Sequence, residues 1–223
     1  MTAQQSTRIP NTGALVATQQ PWLDVTAQAA RAELRQVLKA RRAALTDSEQ
    51  QDAAAAVAAH LQTLPEYKQA KVVAGYLSVR AELGTQALLA QALAQAKTLT
   101  LPCLHPVVAG QLLFLRYQQQ ADLVLNQYGI PEPVLAVPNI IPIGHIQLLL
   151  VPLLGFDAHG QRLGMGGGFY DRTLAVWAAG KLPQLLPVGL AHNCQRVEQL
   201  PSAPWDVPLP VIITPDKVWD FRP

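Results

Sequence analysis

The sequence predicts an α/β fold with three layers, in which a mainly parallel sheet carries helices on both faces, as in Rossmann-like proteins. Short apolar segments alternate along the chain with segments of helical periodicity. Such alternation favours parallel strands that are joined by helical crossovers. A glycine-rich turn also lies between an apolar strand and a helix, and ligands in such folds bind beyond the carboxyl ends of the strands.

The first half of the chain contains three predicted helices. The first covers residues 31–45, and its apolar face is formed by Leu34, Val37, Leu38 and Leu45. The run Thr46-Asp47-Ser48-Glu49 is a capping box, which begins a second helix that extends through Leu61. Thr85 is expected to cap a third helix that ends at about Ala96. A fourth helix follows the glycine-rich turn and covers residues 170–177.

Six apolar or alternating segments are predicted to be strands: residues 71–77, 99–101, 111–117, 148–151, 186–190 and 211–214. The proline-rich residues 130–142 are expected to form an irregular connection. Residues 1–25 are rich in Gln, Thr, Asn and Ala, which predicts a flexible leader. Residues 26–223 are then expected to form a single α/β domain.

Composition restricts the classes of function. Half of the 223 residues are hydrophobic and only 14% are charged, which excludes a disordered chain. The net charge of +2 gives no general basis for binding nucleic acid or an anionic membrane. Cys103 and Cys194 do not make a disulfide framework, and they fit a reducing compartment. We therefore expect a cytoplasmic monomer that binds small molecules, with no nucleic acid and no membrane as partner.

The most informative segment is the run from Arg162 to Arg172, which contains Gly164, Gly166, Gly167 and Gly168. Without Cβ atoms, the backbone N–H groups of such a turn can converge on an anion, and the N-terminus of the next helix adds a partial positive charge. Arg162 and Arg172 suit a phosphate, and Asp171 suits a magnesium ion. A tight turn that serves packing alone is the alternative.

The spacing of the glycines does not match a standard nucleotide motif. A Walker A loop requires a lysine before Ser or Thr, and the run has no lysine. The dinucleotide motif requires a third glycine where Phe169 stands. The spacing therefore predicts a phosphate-binding loop of unspecified type.

Residues 151–172 together resemble the signature of the 5-formyltetrahydrofolate cyclo-ligase family, also called 5,10-methenyltetrahydrofolate synthetases. Three further segments fit that family in the right order: residues 31–35, residues 76–83, and residues 188–191 with 205–209. The resemblance covers roughly residue 28 to the C-terminus. It implies ATP-dependent closure of 5-formyltetrahydrofolate to 5,10-methenyltetrahydrofolate, in which ATP phosphorylates the formyl oxygen and N10 then attacks.

The same resemblance implies the site residues. The implied ATP-binding residues are Arg31, Arg35, Arg162, Leu163, Gly164, Met165, Gly166, Gly167, Gly168, Phe169 and Tyr170, and Arg162 and Gly166 are assigned to catalysis. The implied folate contacts are Leu77 and Glu82. Asp171 and Asp206 are the implied ligands of the Mg²⁺ cofactor, and ATP is the co-substrate. Met165 and Phe169 depart from the tyrosines that are frequent in the family, and Gly167 replaces a lysine of some relatives.

Two other classes of function are compatible with parts of the pattern. A sugar-phosphate isomerase or CoA-transferase on a similar fold would use the glycine loop for a phosphate without ATP. An RNA-binding module would use the first helix, where Arg31, Arg35 and Lys39 share a face beside Arg42. That basic face is also compatible with simple solvation. The low charge, and the lack of a basic patch interleaved with aromatic residues, count against RNA binding.

Overall fold

A computed structural model describes residues 25–222 of the protein. The predicted leader, residues 1–25, lies outside the described residues except for Val25. The described helices are α1 (Val25–Ala43), α2 (Asp47–Thr63), α3 (Pro65–Gln69), α4 (Gln86–Ala94) and α5 (Phe169–Ala178). The strands are β1 (Val72–Ala74), β2 (Thr98–Leu104), β3 (Leu112–Arg116), β4 (Leu123–Leu125), β5 (Pro131–Pro133), β6 (Leu148–Pro152), β7 (Gly155–Phe156), β8 (Arg162–Leu163), β9 (Leu186–Leu190), β10 (Val211–Ile213) and β11 (Val218–Asp220).

Seven of these strands form one sheet in the order β11-β10-β9-β6-β1-β2-β3. The five inner strands are parallel to one another, whereas β3 and β11 pair antiparallel at the two edges. Two short hairpins, β4–β5 and β7–β8, lie outside this sheet. The predicted α/β fold with a mainly parallel sheet is therefore confirmed.

The central strand β6 contributes to the core on both faces of the sheet. Its Leu148 and Leu150 pack in a cluster with residues of α2, and its Leu149 and Val151 pack in a second cluster with Leu174 of α5. Successive side chains of a strand point to opposite faces, so an unbroken apolar run is what a strand covered on both sides requires. Helices cover both faces, as the sequence predicts.

Several element boundaries differ from the prediction. The first helix ends at Ala43, so Leu45 lies beyond it, and Val37 is 41% exposed because only part of the expected apolar face meets the core. The residues predicted as irregular contain β5, which pairs with β4. Thr85 precedes α4 without capping it, since its hydroxyl donates to the carbonyl of Tyr76 at 2.6 Å. The capping box of Thr46 and Glu49 is confirmed.

The topology brings two loops to one edge of the sheet. Strands β1 and β6 are parallel neighbours, so the segments that follow them leave the sheet on the same side. Residues 78–85 follow β1, while the β7–β8 hairpin follows β6 and leads directly into the glycine-rich turn and α5. No helix among residues 25–222 is long and apolar enough to span a membrane.

Candidate functional site

The glycine-rich turn connects β8 to α5 through backbone conformations that favour glycine. Gly166 has φ +106° and Gly168 has φ +67°, both in the left-handed region where a Cβ is disfavoured. Gly168 is the N-cap of α5 and makes no side-chain capping bond, so the first N–H groups of this helix are not taken by a side-chain cap. The turn therefore presents backbone donors together with the positive end of a ten-residue helix.

This glycine loop, residues 164–168, separates two concave surfaces. One is a largely apolar pocket, which we call the inner pocket; its lining includes Tyr76, Leu77, Glu82, Leu112, Tyr128, Arg162, Met165, Phe169 and Tyr170. The other is a polar cleft, which we call the outer cleft; its lining includes Arg31, Arg35, Gly166, Arg172, Trp205 and Asp206. Gly164, Gly167, Gly168 and Asp171 line both. A ligand in one can thus meet a ligand in the other at the loop.

Glu82 places a carboxylate in the inner pocket. Its Oε2 accepts a hydrogen bond from the backbone N–H of Val79 at 3.1 Å, which fixes the side chain against its own turn. Burial raises the pKa of this carboxyl, whereas the Val79 N–H and the charges of Arg42 and Arg80 lower it. The predicted folate contacts Leu77 and Glu82 do lie in one pocket.

Tyr170 brings a buried hydroxyl to the same pocket. This hydroxyl has no hydrogen-bond partner among the described residues. Burial raises the pKa of the phenol, and the nearby charge of Glu82 raises it further. A neutral phenol in an apolar pocket is a hydrogen-bond donor that a bound ligand can use.

Two arginines of α1 line the outer cleft, and they differ in their hydrogen-bond partners. Arg31 binds both oxygens of Asp206, at 2.5 and 3.0 Å, and also donates to the carbonyl of Pro201 at 2.7 Å. Arg35 donates its Nε to the carbonyl of Gly164 at 3.0 Å. Burial, followed by the charge of Arg31, lowers the pKa of the Arg35 guanidinium. Arg35 therefore braces the glycine loop and keeps its Nη atoms beside it.

Arg162 joins the glycine loop to the first turn of α5. Its Nη2 lies 2.5 Å from Oδ1 of Asp171, and the two side chains are 2% and 20% exposed. Burial lowers the pKa of Arg162, while the charge of Asp171 raises it. Its Nε is buried without a hydrogen-bond partner among the described residues, so the guanidinium has donor capacity left.

The two aspartates predicted to bind Mg²⁺ differ in what they can offer. Asp171 uses one carboxylate oxygen for Arg162, and its other oxygen has no hydrogen bond from residues 25–222. Asp206 accepts from Arg31 with both oxygens and from the N–H of Ala203 at 2.7 Å. Within the described part of the chain, no group of three or more His, Cys, Asp or Glu residues could hold a metal. Asp171 fits a magnesium ion held by one carboxylate, phosphate oxygens and water, and Asp206 in this arrangement does not.

Two residues of the predicted loop set contact other parts of the molecule. Leu163 is fully buried and packs with Leu38, Leu154 and Leu200, so its side chain serves the core. Arg172, which suits a phosphate by its place in the sequence, lines the outer cleft. It donates to the carbonyls of Gly110 and Gly167, at 2.7 and 2.5 Å, and thereby ties the loop to the turn between β2 and β3.

Sequence reasoning missed three side chains of the two surfaces. Tyr128, in the β4–β5 connection, contacts Phe169 edge to face with ring centroids 5.8 Å apart. Trp205 lies at the outer cleft next to Asp206. Glu132 of β5 lines the inner pocket and accepts from the N–H of Leu104 at 3.0 Å. No local sequence signal marks Tyr128 or Glu132, because long-range folding alone brings this hairpin to the loop.

Comparisons with known proteins agree with this geometry. A sequence model of the 5-formyltetrahydrofolate cyclo-ligase family matches residues 27–215. The 5-formyltetrahydrofolate cyclo-ligase of Escherichia coli (strain K12) is 47% identical over 185 residues, which cover 83% of this chain and 100% of that protein. That of Haemophilus influenzae is 45% identical over 179 residues, which cover 80% of this chain and 94% of that protein.

A similar solved structure is the NMR structure of the Aquifex aeolicus 5,10-methenyltetrahydrofolate synthetase. It superposes with a TM-score of 0.72 at 31% sequence identity, and the match covers 86% of this chain and 93% of that one. The structural similarity and the sequence similarity therefore indicate the same family.

Proposed function

The chain belongs to the 5-formyltetrahydrofolate cyclo-ligase family, and we propose that it converts 5-formyltetrahydrofolate to 5,10-methenyltetrahydrofolate while ATP becomes ADP and phosphate. The observation that supports this most directly is the glycine loop between the inner pocket and the outer cleft. A reaction between a folate and a nucleotide phosphate needs two adjoining sites with a shared wall of backbone donors. The proposal therefore assigns folate to the inner pocket and ATP to the outer cleft.

On the nucleotide side, the phosphates lie against the N–H groups of the glycine loop and the N-terminus of α5. Arg35 from the outer cleft and Arg162 from the inner-pocket side of the loop neutralise phosphate charge, since neither guanidinium uses all of its donors on residues 25–222. Asp171 is the proposed Mg²⁺ ligand, and the ion supplies further charge neutralisation when bound. Asp206 could join it only if Arg31 released its carboxylate, so we assign Asp206 first to the Arg31 ion pair.

On the folate side, the half-buried carboxylate of Glu82 is suited to the N–H edge of a pterin. Such an edge offers two donors, and one carboxylate can accept both. Leu77 and the aromatic side chains of the inner pocket surround the rest of the ring and exclude water. The hydroxyl of Tyr170 adds one donor inside the same pocket.

The chemistry follows from the poor reactivity of an N-formyl group, which is amide-like. The formyl oxygen attacks the γ-phosphorus, the bond from that phosphorus to the ADP oxygen breaks, and the formyl carbon becomes electrophilic. N10 then attacks this carbon and loses its proton, and phosphate leaves with the former formyl oxygen. Alignment and charge neutralisation suffice for both steps, and backbone N–H groups with arginines supply them.

The other functions considered from the sequence receive no comparable support. A sugar-phosphate isomerase or CoA-transferase needs no second pocket across the loop, and RNA binding gives no role to Glu82 in the inner pocket. The similar proteins carry cyclo-ligase or synthetase names. We keep as proposals a cytoplasmic monomer and a single domain over residues 26–223. The free thiols of Cys103 and Cys194 support the cytoplasmic location.

The experiment is a spectrophotometric assay of methenyl-folate formation from 5-formyltetrahydrofolate by the purified full chain. We expect product only when both ATP and a divalent cation are present. Omission of nucleotide, omission of metal, and substitution of a sugar phosphate for the folate serve as controls. Full-rate product formation without nucleotide would contradict the proposal.

A further inference from the structure

Arg42 is a buried cation that lies outside both the inner pocket and the outer cleft. It occupies the last turn of α1, and it is 2% exposed. Its Nη2 donates to the carbonyl of Arg80 at 2.8 Å. Its Nε has no partner among the described residues. A buried guanidinium is costly unless an opposite charge compensates it, and Glu82 is the acid whose charge acts most strongly on Arg42.

The carbonyl that Arg42 binds belongs to an unusual backbone turn. Arg80 has φ +52° and Ala81 has φ +59°, so two consecutive residues with side chains adopt the left-handed conformation. Each such residue costs on the order of 1 kcal/mol or more, and it persists only where the surroundings hold it. Glu82 is the next residue, so this turn sets the direction in which its carboxylate points.

The same turn is held from its other side by the wall of the inner pocket. Arg80 donates its Nη2 to the carbonyl of Tyr128 at 2.9 Å, and the ring of Tyr128 contacts Phe169 at the end of the glycine loop. The turn therefore lies between α1, which provides Arg35 to the outer cleft, and the hairpin that closes the inner pocket.

We propose that Arg42 is a positioning residue for Glu82, the carboxylate assigned to the folate: it holds the left-handed Arg80–Ala81 turn, places a buried positive charge behind it, and so directs Glu82 into the inner pocket. This inference rests on the proposed function, because that function assigns folate to Glu82 and the inner pocket. Helix α1 then has two roles: Arg31 and Arg35 lie at the proposed nucleotide site, and Arg42 lies behind the proposed folate site.

The charges around Glu82 determine the sign of the expected pH effect. Burial raises the pKa of Glu82, and the Val79 N–H and the charges of Arg42 and Arg80 lower it. Tyr76 and Tyr170 face the carboxylate as neutral phenols, and Arg162 and Asp171 line the same pocket. His192 lies near Arg42, whose charge, together with burial, lowers the pKa of that imidazole to about 4, so it stays neutral. Removal of the Arg42 charge therefore raises the pKa of Glu82. As the pH falls, Glu82 should then become protonated at a higher pH than in the wild type, and folate binding should weaken there.

The test compares Arg42→Met and Arg42→Lys with Arg41→Met, which removes an exposed cation from the neighbouring position of α1. KM for folate, KM for ATP, kcat and the pH dependence of folate KM are measured, with melting temperatures on the same preparations. For Arg42→Met we expect the KM for folate to rise about tenfold or more, while the KM for ATP stays within about twofold of the wild type. The acid limb of the pH profile, where the KM for folate rises as the pH falls, should move to higher pH. Arg42→Lys keeps the charge but loses the guanidinium fork, so its acid limb should remain near that of the wild type while folate KM rises.

The outcomes separate the inference from the function on which it rests. The role of Arg42 alone would be overturned if the wild type and Arg41→Met are active and both Arg42 variants match them in the KM for folate and in its pH profile. Equal losses for folate and ATP with an unshifted acid limb would do the same, because they indicate general destabilisation. If Arg42→Met does not fold, the folate KM of Arg42→Lys decides. Absence of ATP-dependent product from the wild type would instead overturn the proposed function.

Discussion

Single arginines of α1 differ in how free they are to meet a nucleotide. Arg31 is bound by Asp206, whereas Arg35 uses only its Nε for hydrogen bonds within residues 25–222. The Arg35 guanidinium lies 3.9 Å from the position that a Cβ on Gly166 would take. The i, i+4 spacing predicts that both share a helical face, and both do line the outer cleft. Their different states could not be predicted, because the partner of Arg31 comes from a loop 175 residues later in the chain.

Arg35→Ala should therefore raise the apparent KM for ATP more than that for folate. The change removes a cation and a brace of the glycine loop, and charge-assisted bonds of this kind contribute about 1.5–3 kcal/mol. Arg31→Ala should raise the KM for ATP less, because its guanidinium neutralises Asp206 first. Steady-state kinetics with each substrate varied in turn measures both effects. Unchanged ATP kinetics in both variants would assign this face of α1 to solvation.

Glu82→Gln should weaken folate binding and leave ATP binding nearly intact. The amide keeps the shape and one acceptor, but its NH₂ group would face a donor of the pterin. We expect a loss of about 1–3 kcal/mol, since Glu82 is half-buried in the inner pocket. Titration with folate, with ATP titration as the control, measures this. Equal folate affinity in the variant and the wild type would remove Glu82 from the folate site.

At the scale of elements, the glycine loop is where sequence and structure agree most closely. Strand β6 and helix α5 were predictable, since an apolar run before the glycines and a helical pattern after them are local signals. The short β7–β8 hairpin, which leads from β6 into the glycines, was not predicted. The two pockets on either side were not predictable, because the β4–β5 hairpin and residues 201–206 reach the loop only through the tertiary fold. The pairing of β5 inside a proline-rich segment escaped prediction for the same reason.

Gly166→Val should abolish turnover without unfolding the protein. At φ +106° a branched side chain forces the backbone to change, while a Cβ there would meet only Arg35 at 3.9 Å. The matched control is Gly180→Val, since Gly180 has φ +73°, open space around it, and a position at the far end of α5. Melting temperature and turnover are measured on both. A Gly166→Val protein that remains folded and fully active would contradict a phosphate-binding role for the loop.

At the scale of the whole molecule, the sheet places the two proposed substrate sites on opposite sides of one loop. The parallel β1 and β6 deliver the Glu82 turn and the glycine loop to the same edge, and α1 lines the outer cleft with Arg31 and Arg35 and contacts the Glu82 turn through Arg42. Alternation of strands and helices predicts this edge as the ligand site, as the family resemblance also does. Which residues end up behind the pocket, such as Arg42, depends on packing that no local pattern encodes.

Metal removal should abolish turnover while leaving the fold intact. Asp171 is the proposed ligand, and its carboxylate is already paired with Arg162, so this carboxylate does not require the ion for stability. We expect chelator-treated protein to keep its melting temperature, to lose activity, and to regain it when Mg²⁺ is added. A large fall in melting temperature on chelation would indicate a structural metal instead.

The central claim is that the glycine loop brings the formyl oxygen of the folate to the γ-phosphate of ATP. The most direct measurement uses 5-formyltetrahydrofolate labelled with ¹⁸O in the formyl group, followed by mass analysis of the phosphate released in a single turnover. The account predicts one ¹⁸O atom in each phosphate released, because the formyl carbon–oxygen bond breaks after phosphoryl transfer. Label that appears in water, with unlabelled phosphate, would contradict it.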